Sequence, residues 1–261
     1  MALSPPPPRK RLGQHFLIDP NIVRKIVSAA QLTGEEPVLE IGPGRGILTT
    51  ALCRAAQSVL AIEVDPKLGQ YLRETMGEQG NLDLRIGDAL EFPYHELPEG
   101  TVVVANLPYY ISTPLLFRLF EERNRIDHMV LMLQTEVARR MVAQPGTNDY
   151  GILSVLTQYS ASASLAFHVP LNCFRPRPEV GSSVVSLAMH KTPKDAGDEA
   201  RFVRTVRAAF AHRRKTLANS LRDEGFAPDS IARALTQTGI LSSRRAETLA
   251  LEEFAALAAH L

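Results

Sequence analysis

The stretch that decides the fold is "PVLEIGPGRG", residues 37–46. Its first half is a short apolar run with the length of a buried strand. Its second half carries a glycine at every other position, Gly42, Gly44 and Gly46. Glycine adopts backbone conformations that a side chain forbids, and it lets a ligand lie directly against the main chain. The stretch therefore predicts a strand that ends in a ligand-binding turn.

Strand-like and helix-like segments alternate after this stretch. The later strand-like runs, with helix-period segments between most of them, are "SVLAIEV" (58–64), "LDLRI" (82–86), "TVVVAN" (101–106) and "HMVLML" (128–133). This alternation is typical of βαβ units around a parallel sheet. Two further runs, "ASLAFHV" (163–169) and "SSVVSLAMH" (182–190), are interpreted as an antiparallel pair that closes the sheet. The predicted fold class is α/β with a Rossmann-like sheet.

The spacing of the glycines discriminates between cofactors. From Glu40 the sequence runs E-x-G-x-G-x-G. Nicotinamide- and flavin-binding turns have G-x-G-x-x-G instead, with the third glycine one position later so that the helix can meet a pyrophosphate. The tighter spacing suits a ligand without phosphates, of which S-adenosylmethionine is the commonest. A lone glycine-rich turn is usually only a turn, so the next strand ends have to support this prediction.

Two carboxylates follow at the ends of the next strands. Glu63 lies 21 positions after Gly42, where a carboxylate can accept hydrogen bonds from both hydroxyls of a ribose. Asp88 ends the third strand, where it can accept from the amino group of adenine, although a lone Asp there more often caps a helix. Ligands of such sheets bind outside the carboxyl ends of the strands. The series predicts the class I S-adenosylmethionine-dependent methyltransferase fold.

The fourth strand ends in "NLPYY", within "VVVANLPYYIS" (102–112). The exocyclic amine of adenine is a poor nucleophile because its lone pair is delocalised into the ring. The side-chain carbonyl of Asn106 and the backbone carbonyl of Leu107, held by Pro108, could accept both N–H bonds and free that lone pair. Tyr109 offers a ring face for a base taken out of its stack. The activated methyl group leaves the protein only alignment and electrostatics to supply, so no metal is expected.

Charge is uneven along the 261-residue chain, although its net charge is only +1. Arg9, Lys10 and Arg11 follow the tract "PPPP", and no acid interrupts a second basic run: Arg201, Arg204, Arg207, Arg213, Arg214, Lys215 and Arg222. Such a run either neutralises phosphates or is merely a solvated helix face, and the residues alone leave both open. Two isolated cysteines and no run long enough to span a membrane predict a cytoplasmic protein, and a monomer is expected.

The polar segment "KTPKDAGDEA" (191–200) marks a domain boundary, and the sequence beyond it is helical in period. At the motifs "GQHFL", "EIGPGRG", "IEVD", "GDAL", "NLPYYIS", "FRPRPEVGSSVV" and "HRRKTLANSL" the chain resembles the rRNA adenine dimethyltransferases, within them the KsgA type that acts on small-subunit rRNA. The resemblance runs from about residue 11 to the last helices. It implies N6,N6-dimethylation of two adjacent adenines in the 3′-terminal hairpin of 16S rRNA, and a role in small-subunit biogenesis.

The resemblance also implies roles for particular residues. The implied contacts to S-adenosylmethionine, motif neighbours included, are Gln14, His15, Leu17, Glu40, Gly42, Gly44, Gly46, Glu63, Asp88, Ala89 and Asn106. The family most often has Asn at the position of His15. Phe174 is expected to face Tyr109 across the target adenine. Many DNA adenine methyltransferases have proline at the position of Leu107. We hypothesise that Leu107 leaves room in the pocket for a methyl group already present on the adenine.

Three regions with separate roles are therefore predicted. They are a basic N-terminal arm with a cofactor-capping motif (1–20), an S-adenosylmethionine-binding catalytic domain (21–191) and a small helical rRNA-binding domain (198–261). Arg9, Lys10, Arg11, Arg213, Arg214 and Lys215 are the predicted RNA contacts. The alternatives are an Erm-type enzyme acting on 23S rRNA, and a non-enzymatic RNA-binding assembly factor that keeps the fold. The complete set of site residues opposes the second.

Overall fold

The structure, a computed structural model, describes residues 4–9, 12–191 and 197–261. Lys10 and Arg11 of the predicted basic arm lie outside the described residues. The chain divides into two compact units. The first extends to Ala138 and includes Ala163–Met189, and the second comprises Arg139–Ser162 and His190–Leu261.

A seven-stranded sheet organises the first unit. The strands are β1 (Phe16–Leu17), β2 (Pro37–Ile41), β3 (Ser58–Glu63), β4 (Leu82–Ile86), β5 (Thr101–Asn106), β6 (Ile126–Gln134), β7 (Ala161–Val169), β8 (Phe174–Arg175) and β9 (Ser182–Met189). The sheet has the order β4-β3-β2-β5-β6-β9-β7, while β1 and β8 form a separate antiparallel pair. Strands β2 to β6 are parallel, and β9 is antiparallel to β6. The predicted α/β fold with a Rossmann-like sheet is confirmed.

Helices lie between many of the strands and after the last strand. They are α1 (Pro20–Ala29), α2 (Ile47–Ala55), α3 (Pro66–Met76), α4 (Ser112–Glu121), α5 (Thr135–Val142), α6 (Ile152–Ser160), α7 (Glu199–Phe210), α8 (Leu217–Asp223), α9 (Pro228–Thr238) and α10 (Leu251–His260). Two of them begin on the same device, a capping aspartate followed by proline. The main-chain N–H groups of Asn21 and Lys67 donate to Asp19 Oδ1 at 2.8 Å and Asp65 Oδ1 at 3.0 Å, which satisfies helix donors that otherwise have no partner. No described helix is long and apolar enough to span a membrane.

The strand order creates a switch point beside β2. The chain passes from β2 outward to β3 and β4, then returns to the other side of β2 as β5. Connections on the two sides therefore leave in opposite directions and open a crevice at the carboxyl ends of β2, β3 and β5. The apolar strands hold this edge firmly, since residues 102–105 of β5 are completely buried.

The second unit is helical and includes a segment that the sequence placed in the catalytic domain. The ring of Tyr159 in α6 stacks on Phe202 of α7, with centroids 4.6 Å apart. The hydroxyl of Tyr150 donates to the carbonyl of Leu249 at 2.8 Å. Arg139–Ser162 therefore packs with the C-terminal helices. The predicted division into regions of separate function stays a prediction.

The basic run is broken where the sequence predicted a continuous helix. Helix α7 ends at Phe210 and α8 begins at Leu217, so Arg213, Arg214 and Lys215 lie in the turn between them. The turn is closed by a hydrogen bond from the Lys215 N–H to the His212 carbonyl, at 3.0 Å. It presents all three basic side chains to solvent.

Candidate active site

The glycine turn forms one wall of a cleft at the switch point. Gly42, Gly44 and Gly46 have φ angles of 71°, 59° and 80°, in the region that favours glycine. A Cβ on Gly42 would lie 3.3 Å from Pro108 Cγ, so the turn also approaches the segment after β5 closely. We call Glu40, residues 42–46 and Glu63 the glycine wall.

Glu63 is buried at the end of β3, and the main chain fixes its carboxylate. Its Oε2 accepts from the N–H of Gly44 at 3.1 Å and its Oε1 from the N–H of Asp65 at 2.9 Å. Burial raises the pKa of Glu63. Each oxygen of a carboxylate can accept a second hydrogen bond. Glu63 is therefore oriented in advance toward a ligand that brings two hydroxyl donors, such as a ribose.

Glu40 carries an unsatisfied acceptor into the same cleft. Its side chain is 2% exposed, and its Oε2 has no hydrogen-bond partner among the described residues. Burial, and to a smaller extent the negative charge of Glu63, raises the pKa of Glu40 to about 8. A buried carboxyl oxygen without a partner is costly. The methionine part of S-adenosylmethionine brings an ammonium group that suits this oxygen, so the residues present fit that cofactor.

An N-terminal segment, residues 12–17, forms a second side of the cleft, and we call it the strap. Its end pairs with the chain after β7, because β1 and β8 are hydrogen-bonded in register Leu17↔Phe174. His15 Nδ1 lies 2.9 Å from the carbonyl oxygen of Pro176. Gln14 donates to Oδ2 of the buried Asp65 at 3.3 Å. The strap is therefore tied both to the end of β3 and to the segment near β8.

Arg9, predicted to contact RNA, is engaged at the base of the strap. Its Nε lies 3.1 Å from Asp65 Oδ2, and the side chains of Arg9 and Asp65 are 29% and 1% exposed. The main-chain N–H of Arg9 donates to Gln14 Oε1 at 2.7 Å. The guanidinium of Arg45 lies over the ring of Phe16, 4.4 Å from its centroid. The contacts of Arg9 with Asp65 and Gln14 favour a structural role for Arg9. Its role in RNA binding stays a prediction.

The end of β5 and the residues that follow it, residues 106–110, also line the cleft, and we call this segment the tyrosine wall. Asn106 is half-buried at the strand end, and Leu107 is 1% exposed. The N–H of Leu107 donates to the carbonyl of Met132 at 3.1 Å. Proline has no N–H, so a proline at position 107 would lose this bond. The hydrogen bond gives a reason for Leu107 that the sequence did not reveal.

Tyr109 is held by two side chains from distant parts of the sequence. Its hydroxyl lies 2.6 Å from Ser182 Oγ, and its ring is stacked on that of His15, with centroids 6.0 Å apart and planes 29° apart. Sequence reasoning missed Ser182. A serine pair at the start of an otherwise apolar strand, "SSVVSLAM", is the signal that could have marked it.

Comparisons with known proteins show the family to which the chain belongs. The family model for ribosomal RNA adenine dimethylase matches residues 8–261. The chain belongs to the ribosomal RNA adenine dimethylase family. This dimethylase is 47% identical to the ribosomal RNA small subunit methyltransferase A of Moorella thermoacetica, over 96% of this chain and 91% of that protein. It is 46% identical to the protein of the same name from a Geobacillus species, over 95% and 90%.

Two solved structures resemble the dimethylase over nearly its full length. A dimethyladenosine transferase from Plasmodium falciparum superposes with a TM-score of 0.80 at 28% identity, covering 93% of this chain and 96% of that one. The 23S rRNA methyltransferase ErmE superposes with a TM-score of 0.71 at 27% identity, covering 94% and 99%. The protein is an rRNA adenine dimethyltransferase that uses S-adenosylmethionine, as the motif resemblance implied.

The dimethylase cleft brings together most of the predicted site residues. Its lining includes Gln14, His15, Leu17, Glu40, Gly42, Gly44, Glu63, Asn106, Leu107, Pro108 and Tyr109, with Tyr110 at the end of the tyrosine wall. Gly46 lies just beyond the lining, where it begins α2. A Cβ on Gly46 would lie 2.7 Å from Met76 Sδ. The cleft therefore contains both the glycine turn predicted to bind the cofactor and the two residues, Asn106 and Leu107, whose oxygens are predicted to accept from the target adenine.

Besides Gly46, three residues predicted to contact the cofactor or the target adenine lie outside the lining of this cleft in the described structure. Asp88 is exposed after β4, and its Oδ1 accepts from the N–H of Leu90 at 2.8 Å. Ala89 is buried beside it. Phe174 is 0% exposed within the core cluster. His15, not Phe174, is the ring that the structure places against Tyr109. The aromatic sandwich of Tyr109 and Phe174 stays a prediction.

Proposed function

We propose that this dimethyltransferase modifies N6 of two adjacent adenines in the 3′-terminal hairpin of 16S rRNA, within the immature small ribosomal subunit. The observation that carries the proposal is the extent of the likeness to the proteins named small subunit methyltransferase A. It covers 96% of the chain and so includes the C-terminal helices. That part of the chain includes "RRKTLANSL" (213–221), whose resemblance to the small-subunit type favours this type over the Erm type.

The glycine wall and the strap would hold S-adenosylmethionine, which supplies an activated methyl group when bound. The turn at 42–46 lets the ligand lie against the backbone, Glu63 accepts from the ribose hydroxyls and Glu40 accepts from the ammonium group. Asp88 is proposed to accept from the adenine amino group. The strap residues Gln14, His15 and Leu17 cover the ligand and exclude water from it.

The tyrosine wall would hold the target adenine. Asn106 Oδ1 and the carbonyl oxygen of Leu107 accept the N–H bonds of the target amine, so the nitrogen lone pair is localised and directed at the methyl group. Tyr109 supports the extruded base through its ring face. Holding the two reacting atoms in line contributes most of the rate enhancement in such a transfer, because no strong base is required.

The exposed turn of the second unit would contribute affinity for the RNA backbone. Arg213 and Arg214 are exposed, and Lys215 pairs with Asp223 at the end of α8. Phosphate contacts of this kind are independent of sequence and weaken steeply with added salt.

We also propose that the protein works as a monomer in the cytoplasm, since its two cysteines are buried and unpaired and small subunits are assembled there.

The resemblance to ErmE favours one alternative, methylation of 23S rRNA. The test is methyl transfer from labelled S-adenosylmethionine into undermethylated small subunits, naked 16S rRNA and naked 23S rRNA, with wild type beside Asn106→Ala. We expect dimethyladenine in small subunits, with a loss of roughly 100- to 1000-fold in the variant.

Each other outcome has a definite meaning. Label in 23S rRNA alone would assign the protein to the Erm-type activity. Binding to small subunits without transfer would make it an assembly factor. Full activity of the Asn106→Ala variant would remove the proposed role of Asn106 without touching the substrate assignment.

A further inference from the structure

The hydroxyl contact between Tyr109 and Ser182 links a loop to the sheet. Tyr109 lies in the connection between β5 and α4, where the neighbouring hydrogen bonds are local: Ile111 N–H and Ser112 Oγ both donate to the carbonyl of Pro108, at 3.2 Å and 3.0 Å. The contact to Ser182 Oγ, at 2.6 Å, spans 73 positions of sequence. It is the bond through which the Tyr109 side chain reaches the regular strands.

Ser182 itself is fixed by the strand ladder. It is completely buried, and it opens β9 opposite Gln134 of β6. The carbonyl of the preceding Gly181 accepts from the N–H of Thr135 at 2.8 Å. A Cβ on Gly181 would lie 3.3 Å from Thr135 Oγ1, so the two chains are in close contact there. The position of Ser182 Oγ is therefore set by the sheet.

The contact matters because small displacements of a bound base are expensive. Tyr109 is two residues from the carbonyl of Leu107 and three from Asn106, so a tilt of its ring moves an adenine lying on it relative to both acceptors. A misplacement of about 1 Å can lower a rate by roughly 100-fold. Burial also raises the pKa of Tyr109, so the phenol keeps its proton and can donate.

We propose that Ser182 is a positioning residue that sets the orientation of the Tyr109 ring for the target adenine. The inference rests on the proposed role of Tyr109 as the support for that base. Ser182 touches neither the adenine nor S-adenosylmethionine in this proposal. Its loss therefore lowers the rate of methyl transfer and leaves cofactor affinity unchanged.

A double-mutant cycle tests the proposal, using undermethylated small subunits and the variants Ser182→Ala, Tyr109→Phe and the two combined. We expect each single variant to lower kcat by about tenfold, because one buried hydrogen bond is lost. The double variant should be no slower than the slower single variant, because both substitutions remove the same bond. The dissociation constant for S-adenosylmethionine should stay within about twofold in all of them.

Ser183→Ala is the matched control. Ser183 is also completely buried and adjacent in β9, but its hydroxyl contacts Thr135 Oγ1 at 2.9 Å and His168 Nδ1 at 2.8 Å. Its loss tests general damage to the strand without touching Tyr109. We expect comparable melting temperatures for Ser182→Ala and Ser183→Ala, and a kcat within about twofold of wild type only for Ser183→Ala.

The result that overturns the inference is distinct from failure of the proposed function. Additive losses in the cycle, equal losses in Ser182→Ala and Ser183→Ala, or a normal kcat in Ser182→Ala would exclude the positioning role. A Tyr109→Ala variant decides the underlying role. If Tyr109→Ala is inactive and Ser182→Ala has a normal kcat, only the positioning role of Ser182 is excluded. If Tyr109→Ala is fully active, Tyr109 does not support the base.

Discussion

The two walls of the cleft are held in place by different kinds of contact. In the glycine wall the main chain does the positioning, since both carboxylate oxygens of Glu63 accept from backbone N–H groups, those of Gly44 and Asp65. In the tyrosine wall the main-chain N–H of Leu107 donates to the carbonyl of Met132, and the hydroxyl of Tyr109 contacts Ser182, which lies 73 positions away in the sequence. The cofactor side is therefore held by the main chain at the ends of β2 and β3. The substrate side is held by contacts with β6 and β9.

This difference predicts that changes in the glycine wall alter cofactor binding, while changes in the tyrosine wall alter turnover. Preorganised groups cost little to reorganise when a ligand binds, so their removal is felt as lost affinity. Variants in the glycine wall and near the strap, together with the Ser182 cycle, test this difference from both sides of the cleft.

The largest effect is expected from Glu40→Gln. The amide keeps the size of the side chain but removes the charge that would pair with the ammonium group of the cofactor. We expect affinity for S-adenosylmethionine at pH 7.5 to fall by about 30- to 100-fold, as for the loss of a charge-assisted hydrogen bond. Calorimetric titration measures it. An affinity within twofold of wild type would make Glu40 a purely structural buried acid.

The same substitution has an opposite effect on the stability of the cofactor-free protein. The folded-state pKa of Glu40, about 8, is raised above the ordinary 4.5. The stability contributed by the neutral acid is therefore complete below pH 4.5, and it is lost as the pH rises through about 8. Thermal melts without ligand should show Glu40→Gln close to wild type at pH 4.5 and more stable at pH 9, by roughly 1–3 kcal/mol. Parallel pH curves for both proteins would contradict this.

An intermediate effect is expected from Gly42→Ala, because Gly42 touches both walls. Its φ of 71° is strained for alanine, and the new methyl would press on Pro108 at 3.3 Å. We expect a loss of about 1–2 kcal/mol of stability and about tenfold in cofactor affinity. Gly80→Ala is the matched control, since a Cβ there meets nothing within 4 Å. Equal behaviour of the two variants would show that the turn tolerates side chains and would weaken the case for a preformed wall.

The smallest effect is expected from Arg9→Ala. The ion pair of Arg9 with Asp65 anchors the base of the strap, so its loss should lower cofactor affinity by about threefold. The salt dependence of rRNA binding should not change. Arg213→Ala is the comparison variant, for which we expect unchanged cofactor affinity and a shallower salt dependence. If Arg9→Ala made the salt dependence of rRNA binding shallower, Arg9 would be an RNA contact and its role in holding the strap would be contradicted.

Local pattern explains what could be predicted. The strands 37–41 and 101–106 have the bounds that their apolar runs predicted, because a strand buried on both faces needs a continuous apolar segment. The edge strand 82–86 also has its predicted bounds, although most of it is exposed. The glycine turn was readable for a similar reason, since positive φ angles at alternate positions leave few residues other than glycine. The family was recognised from motifs that lie at these strand ends, and the match of the family model confirms it.

Long-range contacts explain what could not be predicted. The sequence by itself determined the strands of the sheet, the glycine turn after β2 and the kind of cofactor, because short motifs indicate each of them. Only the tertiary structure decided that Ser182 meets Tyr109, that Arg9 pairs with Asp65 and that Arg139–Ser162 packs with the C-terminal helices. These contacts join positions dozens of residues apart. Hydrophobic period and turn composition carry no information about such partners, because burial and side-chain hydrogen bonds are settled only when the whole chain has packed.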